Sequence, residues 1–299
     1  MRTWRNACPA TSAEGPVLTL SAIADDVRAA AARFAAAGIG SPEHDAEALA
    51  AHVLGVDRRR LLGLGSWPPG AAERYRVLVD RRCGREPLQH LTGVAYFRYL
   101  ELAVGQGVFI PRPETELLVD LVLPVIPAGG TVVDLCAGSG AVGLAIATER
   151  PDTAVHLVEL DPGAADWLRR NVTELSPRAS THCCSVLDAV SSVGPWRAHV
   201  VIANPPYLLA GSEVEPEVER DPALALWGGP DGLDTIREVA VAARALLVPG
   251  GTLAIEHDAA HQGAVVDLFE QHGFHDVAGH QDLTGRPRFV TARTGRRSD

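Results

Sequence analysis

Lysine is absent from this 299-residue sequence, so all 27 of its basic residues are arginine. They are outnumbered by 37 acids, which leaves a formal net charge of −10. The deficit is uneven: residues 1–93 hold 12 arginines and 10 acids, whereas residues 94–299 hold 15 and 27. An acidic half of this kind, with no basic groove, suits a phosphate backbone poorly and argues against direct nucleic-acid binding. Long apolar runs are missing too. None approaches the roughly 18 residues of a membrane span, and residues 1–18 contain no apolar block of the signal-peptide kind. No membrane partner is expected, and residues 1–18 read as a mobile extension. The five cysteines (Cys8, Cys83, Cys136, Cys183, Cys184) are odd in number and lack metal-ligand spacing. They read as reduced thiols of a cytoplasmic protein with no metal site.

What is present suffices for about two domains. Residues 19–85 carry the pattern of a small helical bundle, a candidate substrate-docking domain. Its helices are expected at Ala22–Ala37, capped by Ser21 and stopped at Gly38; from Ser41 as N-cap, through Pro42, to Gly55; at Arg58–Leu64; and at Ala71–Cys83. Arg58, Arg59, Arg60, Arg81, Arg82 and Arg85 read as one face, either solvated or docking. Residues 86–108 read as a linker, Glu86–Gly93, and a hairpin of Ala95–Arg98 with Leu100–Val104. Residues 109–299 form the third part. It opens on Phe109-Ile110-Pro111-Arg112-Pro113-Glu114-Thr115-Glu116, where Arg112 stands between two prolines ahead of a helix over residues 114–123. That is the build of a functional lid or access loop.

From Thr131 strands and helices alternate. Strands are predicted at Val132–Leu135, Ala154–Val158, Thr181–Cys184, His199–Ala203, Thr252–Glu256, Phe274–Ala278 and Phe289–Ala292. Helices are predicted at Ala141–Arg150, Gly163–Leu175, Leu233–Leu247 and Ala260–His272. The pattern implies an α/β fold with a doubly wound, mostly parallel seven-stranded sheet. Ligands of such sheets bind at the carboxyl ends of the strands.

Four stretches fall at such ends. Val200-Val201-Ile202-Ala203 runs into Asn204-Pro205-Pro206-Tyr207, a stiff extended corner that cannot continue the hydrogen-bond ladder. The Asn204 side chain and the Pro205 carbonyl are two acceptors beside the Tyr207 ring, a set suited to a planar –NH2 group. Asp134 precedes Cys136, Ala137, Gly138, Ser139 and Gly140 at the start of the next helix. Gly138, Gly140 and Gly143 satisfy G-x-G-x-x-G, so a nicotinamide dinucleotide has to be weighed. Asp134 speaks against it, because an acid aimed at the site repels a pyrophosphate but holds an ammonium. An amino-acid-bearing nucleoside fits better, its carboxylate at the helix N-terminus. Glu159 follows Gly138 by 21 residues and is placed to accept from ribose hydroxyls. Asp188, followed by Ala189, is a candidate acceptor for an adenine amino group.

Together these residues resemble the class I S-adenosylmethionine-dependent methyltransferases, and more narrowly the bacterial peptide chain release factor N5-glutamine methyltransferases. The resemblance spans nearly all of the chain after Leu18, resting on Glu86–Gly93, Phe109–Glu116, Asp134–Gly140, Asn204–Tyr207 and Glu219–Asp234. It implies a Rossmann-like methyltransferase domain, S-adenosyl-L-methionine as methyl donor and S-adenosyl-L-homocysteine as product. The acceptor it implies is the side-chain amide of the glutamine in the Gly-Gly-Gln loop of class I release factors, in support of translation termination. Asp134, Cys136, Ala137, Gly138, Ser139, Gly140, Glu159, Asp188, Ala189 and Asn204 then face the cofactor. Asn204, Pro205 and Tyr207 carry the chemistry, and Pro206, Pro111 and Arg112 complete the acceptor side. Ala189 departs from relatives that carry an aromatic there, and residues 1–18 and 294–299 lie outside the match. The competing readings are an amino-methyltransferase acting on adenine or cytosine of nucleic acid, a nicotinamide oxidoreductase, and a non-catalytic S-adenosylmethionine-binding module.

Overall fold

A computed structural model describes residues 22–193 and 198–295, and the chain divides into two compact units after Gly84. The N-terminal extension read over residues 1–18, the Ser21 cap and Cys8 lie outside the described residues.

The first unit contains α1 (Ala22–Ala36), α2 (Pro42–Leu54) and α3 (Ala71–Cys83), with a 3-10 turn at Arg58–Gly63. Each helix buries one stripe at helical spacing: Ile23, Ala30 and Phe34; Ala46, Leu49 and Ala50; Ala71, Tyr75 and Val79. Pro42 opens α2 and Gly55, at φ 65°, closes it, but the Ser41 side chain makes no capping bond. Arg58–Gly63 is a 3-10 turn rather than an α-helix, with the orphan N–H of Arg59 taken by the Asp57 side chain at 2.8 Å. The expected arginine face is incomplete. Arg82 is buried and donates to buried Asp45 at 2.8 Å, so it is a core ion pair and not a surface contact. Arg85 belongs to the second unit, where it pairs with Glu217.

The second unit opens with α4 (Leu88–Thr92), a short helix where a plain linker was expected; Pro87 precedes it and Gly93, at φ 78°, ends it. Strands β1 (Val94–Phe97) and β2 (Leu100–Ala103) form an antiparallel hairpin. A 3-10 turn at Pro113–Thr115 leads into α5 (Glu116–Val122). Then follow β3 (Thr131–Leu135), α6 (Ala141–Glu149), β4 (Ala154–Glu159), α7 (Pro162–Leu175), β5 (Ser180–Cys183), α8 (Ala189–Val193) and β6 (Ala198–Ala203). The chain finishes with α9 (Ala223–Leu226), α10 (Asp234–Leu246), β7 (Leu247–Glu256), α11 (Gln262–Gln271), β8 (Phe274–Gln281) and β9 (Pro287–Thr294).

All seven expected strands join one sheet in the order β5-β4-β3-β6-β7-β9-β8. The first five are parallel, while β9 is antiparallel to both β7 and β8. Strands β3 and β6 sit centrally and are buried on both faces, which is why Val132-Val133 and Val200-Val201-Ile202 are continuous apolar runs and not alternating ones. Period-two geometry sends Val132 to one core, with Leu144 and Ile146, and Val133 to the other, with Ile236 and Val239. Strand order reverses between β3 and β6: the chain first builds outward through β4 and β5, then returns to the other side of β3. A crevice at the carboxyl ends is the geometric result.

Candidate active site

A cavity of about 690 Å³ occupies that crevice. Its walls come from the ends of β3, β4 and β6, from the Phe109–Thr115 stretch and from the chain between β6 and α10.

Strand β6 ends at Ala203, just before Asn204, and Pro205 and Pro206 offer no N–H to continue the ladder. Asn204, Pro205, Pro206 and Tyr207 all line the cavity. The corner is braced from behind: Leu208 N–H donates to the Leu226 carbonyl at 2.8 Å and Gly228 N–H to the Leu208 carbonyl at 2.9 Å. A Cβ on Gly228 would stand 2.7 Å from the Pro206 carbonyl oxygen, so only glycine permits this approach. Asn204 Nδ2 donates to Thr115 Oγ1 at 3.3 Å, Thr115 Oγ1 donates to Glu256 Oε2 at 2.7 Å, and the Tyr207 hydroxyl donates to Glu256 Oε1 at 2.9 Å. Glu256, the last residue of β7, is 2% exposed. Burial pushes its carboxyl up, against the two hydroxyl bonds and nearby Arg288. Burial, and then the Glu256 charge, push the Tyr207 phenol far up.

Pro111 and Arg112 also line the cavity. Arg112 stacks over the Phe109 ring at 5.1 Å and donates to Asp221, whose other oxygen accepts from the Ile110 N–H. Burial pushes the Asp221 carboxyl up to about 6, with Arg112 opposing it.

On the opposite wall β3 leaves through Cys136, a non-glycine residue at φ 62°. Asp134, 1% exposed, accepts the Gly143 N–H on Oδ2 at 2.9 Å, and burial pushes its carboxyl up to about 7. A Cβ on Gly143 would lie 2.2 Å from Leu157 Cδ2 and 3.0 Å from Asp134 Oδ2. The third glycine of G-x-G-x-x-G therefore serves close packing of α6 on the sheet. Glu159 ties the turn together, with Oε2 accepting Gly138 N–H and Oε1 accepting Asp161 N–H, each at 2.8 Å. Its carboxyl is also pushed up by burial, against those N–H groups.

Asp134, Cys136, Ala137, Gly138, Ser139 and Glu159 all face the cavity. Gly140, Asp188 and Ala189 are not in its walls. Gly140 caps α6 at φ 89° and abuts Leu144 and Leu168. Asp188 is turned to solvent and accepts from Ser185 Oγ at 2.7 Å, and Ala189 is fully buried in the core. Ser185 and Val186 form that part of the wall instead. Sequence reasoning also passed over Thr115, Glu256, Arg286, Arg288 and the apolar patch of Val214, Leu224 and Trp227. For Glu256 a signal existed: it ends a predicted strand, and Asn204 and Glu159 each directly follow one.

Asp134 and Glu159 have no ion-pair partner among the described residues, although both are largely desolvated. Two such acids in one wall fit a ligand that brings its own positive charge and hydroxyl donors. An ammonium-bearing nucleoside meets that requirement, and a pyrophosphate does not.

The family described as PrmC N-terminal domain matches residues 27–93, and the family described as Methyltransferase small domain matches residues 106–221. The chain is 45% identical over 269 residues to a release factor glutamine methyltransferase of Mycolicibacterium smegmatis, covering 89% of this chain and 95% of that one. Its counterpart in Streptomyces coelicolor is 46% identical over 276 residues, 90% and 96% of the two chains. In Bifidobacterium longum the relative of the same name is 42% identical over 290 residues, 90% and 99% of the two.

Proposed function

The chain belongs to the release factor glutamine methyltransferase family, and from that premise we propose that it methylates the side-chain amide nitrogen of a glutamine in peptide chain release factors, with S-adenosylmethionine as donor. The finer reading is that the glutamine is the one in the Gly-Gly-Gln loop of class I factors, and that the work is done in the cytoplasm, on protein and not on nucleic acid. The observation that carries this is the opening of the Asn204–Tyr207 corner into the same cavity as Asp134 and Glu159, two desolvated acids that no described residue pairs.

Asp134 holds the donor's ammonium and Glu159 accepts from its ribose hydroxyls. The turn through Cys136, Ala137, Gly138 and Ser139 faces its carboxylate at the N-terminus of α6. Gly140 shapes that turn from behind. Asp188 and Ala189 drop out of the set, replaced by Ser185 and Val186. When bound, the donor supplies an electrophilic methyl group on a sulfonium.

An amide nitrogen is a weak nucleophile because its lone pair is delocalised into the carbonyl. Asn204 Oδ1 and the Pro205 carbonyl accept its two N–H bonds and aim the nitrogen, an effect of positioning. Positive charge gathers on the nitrogen as its bond to carbon forms, so two fixed acceptors grip the transition state better than the ground state. The methylated, protonated amide is strongly acidic and loses its proton without a dedicated base. Tyr207, Pro206, Pro111 and Arg112 bound the acceptor side. The helical unit docks a second surface of the release factor.

The test is incubation with a labelled methyl donor and three acceptors: release factor, RNA and DNA. Label on a single glutamine of the release factor is expected; label on nucleic acid would overturn the reading.

A further inference from the structure

An asparagine amide has an acceptor end and a donor end of nearly the same shape, and only the acceptor end suits an incoming –NH2. Some other group has to decide which end Asn204 presents. The wall behind it supplies one. A threonine hydroxyl has a single proton, and an ionised carboxylate can only accept. Thr115 Oγ1 stands 2.7 Å from Glu256 Oε2, so its proton points there. What faces Asn204 at 3.3 Å is then a pair of lone pairs, which receive Nδ2 and would repel Oδ1. Tyr207 commits its own proton to the other carboxylate oxygen at 2.9 Å.

We propose that Glu256, acting through Thr115, is the positioning residue that fixes Asn204 with its oxygen toward the acceptor amide. The proposal rests on the reading of Asn204 as the acceptor of that amide's protons. Burial pushes the Glu256 carboxyl up, and the two hydroxyl donors and the Arg288 guanidinium favour its carboxylate form against that push. The arrangement is built into the sheet. Ala203 pairs with Ile255, so Asn204 and Glu256 each stand one residue beyond the last paired position of adjacent strands. Thr115 is 3% exposed and closes the gap from the turn before α5.

Glu256→Gln tests this, because it keeps the shape and adds a donor. The fully satisfied network then runs backwards. The new side-chain amide donates its N–H to Thr115, Thr115 donates to Asn204 Oδ1, and Tyr207 still donates to the amide oxygen of the replacement. Asn204 turns and sets Nδ2 against the donor face of the substrate. Turnover at saturating substrates should fall about 100-fold, the scale of one lost transition-state contact. S-adenosylmethionine affinity by calorimetry should stay within about twofold, since the side chains that change partners are on the acceptor side and the acids that hold the donor, Asp134 and Glu159, are untouched.

The second variant is Asn204→Asp added to Glu256→Gln. The introduced carboxylate accepts the Thr115 proton on one oxygen and offers the other to the amide. The double variant should recover at least about tenfold in turnover over Glu256→Gln, whereas Asn204→Asp beside Glu256 sets a carboxylate against the Thr115 lone pairs and stays impaired. A general structural role for Glu256 predicts no such rescue. Parental turnover in Glu256→Gln, or a double variant no better than Glu256→Gln, would overturn the proposal while the parent still labels release factor. A parent that labels no release factor would overturn the acceptor reading and this proposal together.

Discussion

Arg112 Nη2 lies 2.5 Å from Asp221 Oδ2, and the carboxylate that receives it is completely buried. The arginine between the prolines is therefore a brace of the wall as well as part of it. Arg112→Ala strands that carboxylate and should cost about 1.5–3 kcal/mol of stability, the range for a charged hydrogen bond. The native Asp221 pKa, about 6, lies above its ordinary value, so Asp221 costs stability as pH rises from about 4 to about 6. Urea melts should show a larger deficit for Arg112→Ala at pH 8 than at pH 5, and Arg112→Ala with Asp221→Asn should recover most of it. Equal deficits at the two pH values would mean that Asp221 is not the group left unpaired.

Asn204→Ala should abolish most methyl transfer and spare the donor. Removal of one transition-state contact of this type costs on the order of 10²–10³ in rate. Turnover assays run beside calorimetry with S-adenosylmethionine separate the two effects. Near-normal turnover would remove Asn204 from the chemistry.

For Glu159→Ala the pattern should be reversed. The carboxylate already holds Gly138 and Asp161 by their N–H groups, and its loss should weaken S-adenosylmethionine by about 1.5–3 kcal/mol, one to two decades. The maximal rate at saturating donor should change little, because ribose is remote from the methyl. Parental affinity in this variant would end the ribose assignment.

Asp134 gives the donor site a pH dependence. Its native pKa of about 7 exceeds the ordinary 3.8. Between those values the native state keeps a proton that the unfolded chain has lost. Stability of the ligand-free protein should therefore decline as pH rises through that window, and Asp134→Asn should cancel the decline. Donor affinity should move the other way, rising from pH 5.5 to pH 8 as the carboxylate ionises to meet the ammonium. Calorimetry across that range checks it, and a flat profile would release Asp134 from this role.

Arg59 is 90% exposed at its side chain and, with Arg58 and Arg60, remains a candidate docking contact for the release factor. Charge reversal of all three in the full chain should raise KM for intact release factor far more than for a short Gly-Gly-Gln peptide. Added salt should erode the first activity more, since exposed charges are screened beyond about 10 Å at 0.1 M ionic strength. Equal effects on the two substrates would count against docking.

Sequence pattern reached the sheet and much of the cavity wall for the same reason. Strands buried on both faces announce themselves as apolar runs, and their carboxyl ends follow from strand direction, so Asp134, Glu159 and Asn204 were legible together. The Thr115–Glu256 bond was not, because its partners are 141 residues apart and no local pattern links them. Arg82 looked like surface because arginine usually is; only the arrival of Asp45 from α2 makes it core. Ser41 had the right neighbours for a cap, but its side chain makes no capping bond. Asp188 was read by position alone, and a local bond to Ser185 had first claim on it.

Strand β9, synthesised after both of its neighbours, lies between β7 and β8. Until it emerges, β8 has no neighbour to join and β7, which carries Glu256, keeps an open edge. Synthesis runs from the N-terminus, and contacts this distant in sequence form late. The donor's wall, from Asp134 to Val186, is synthesised well before β9, whereas β7, which carries Glu256, gains its second sheet neighbour only with β9. The side of the cavity that aims the acceptor is thus synthesised to completion later than the side that faces the donor.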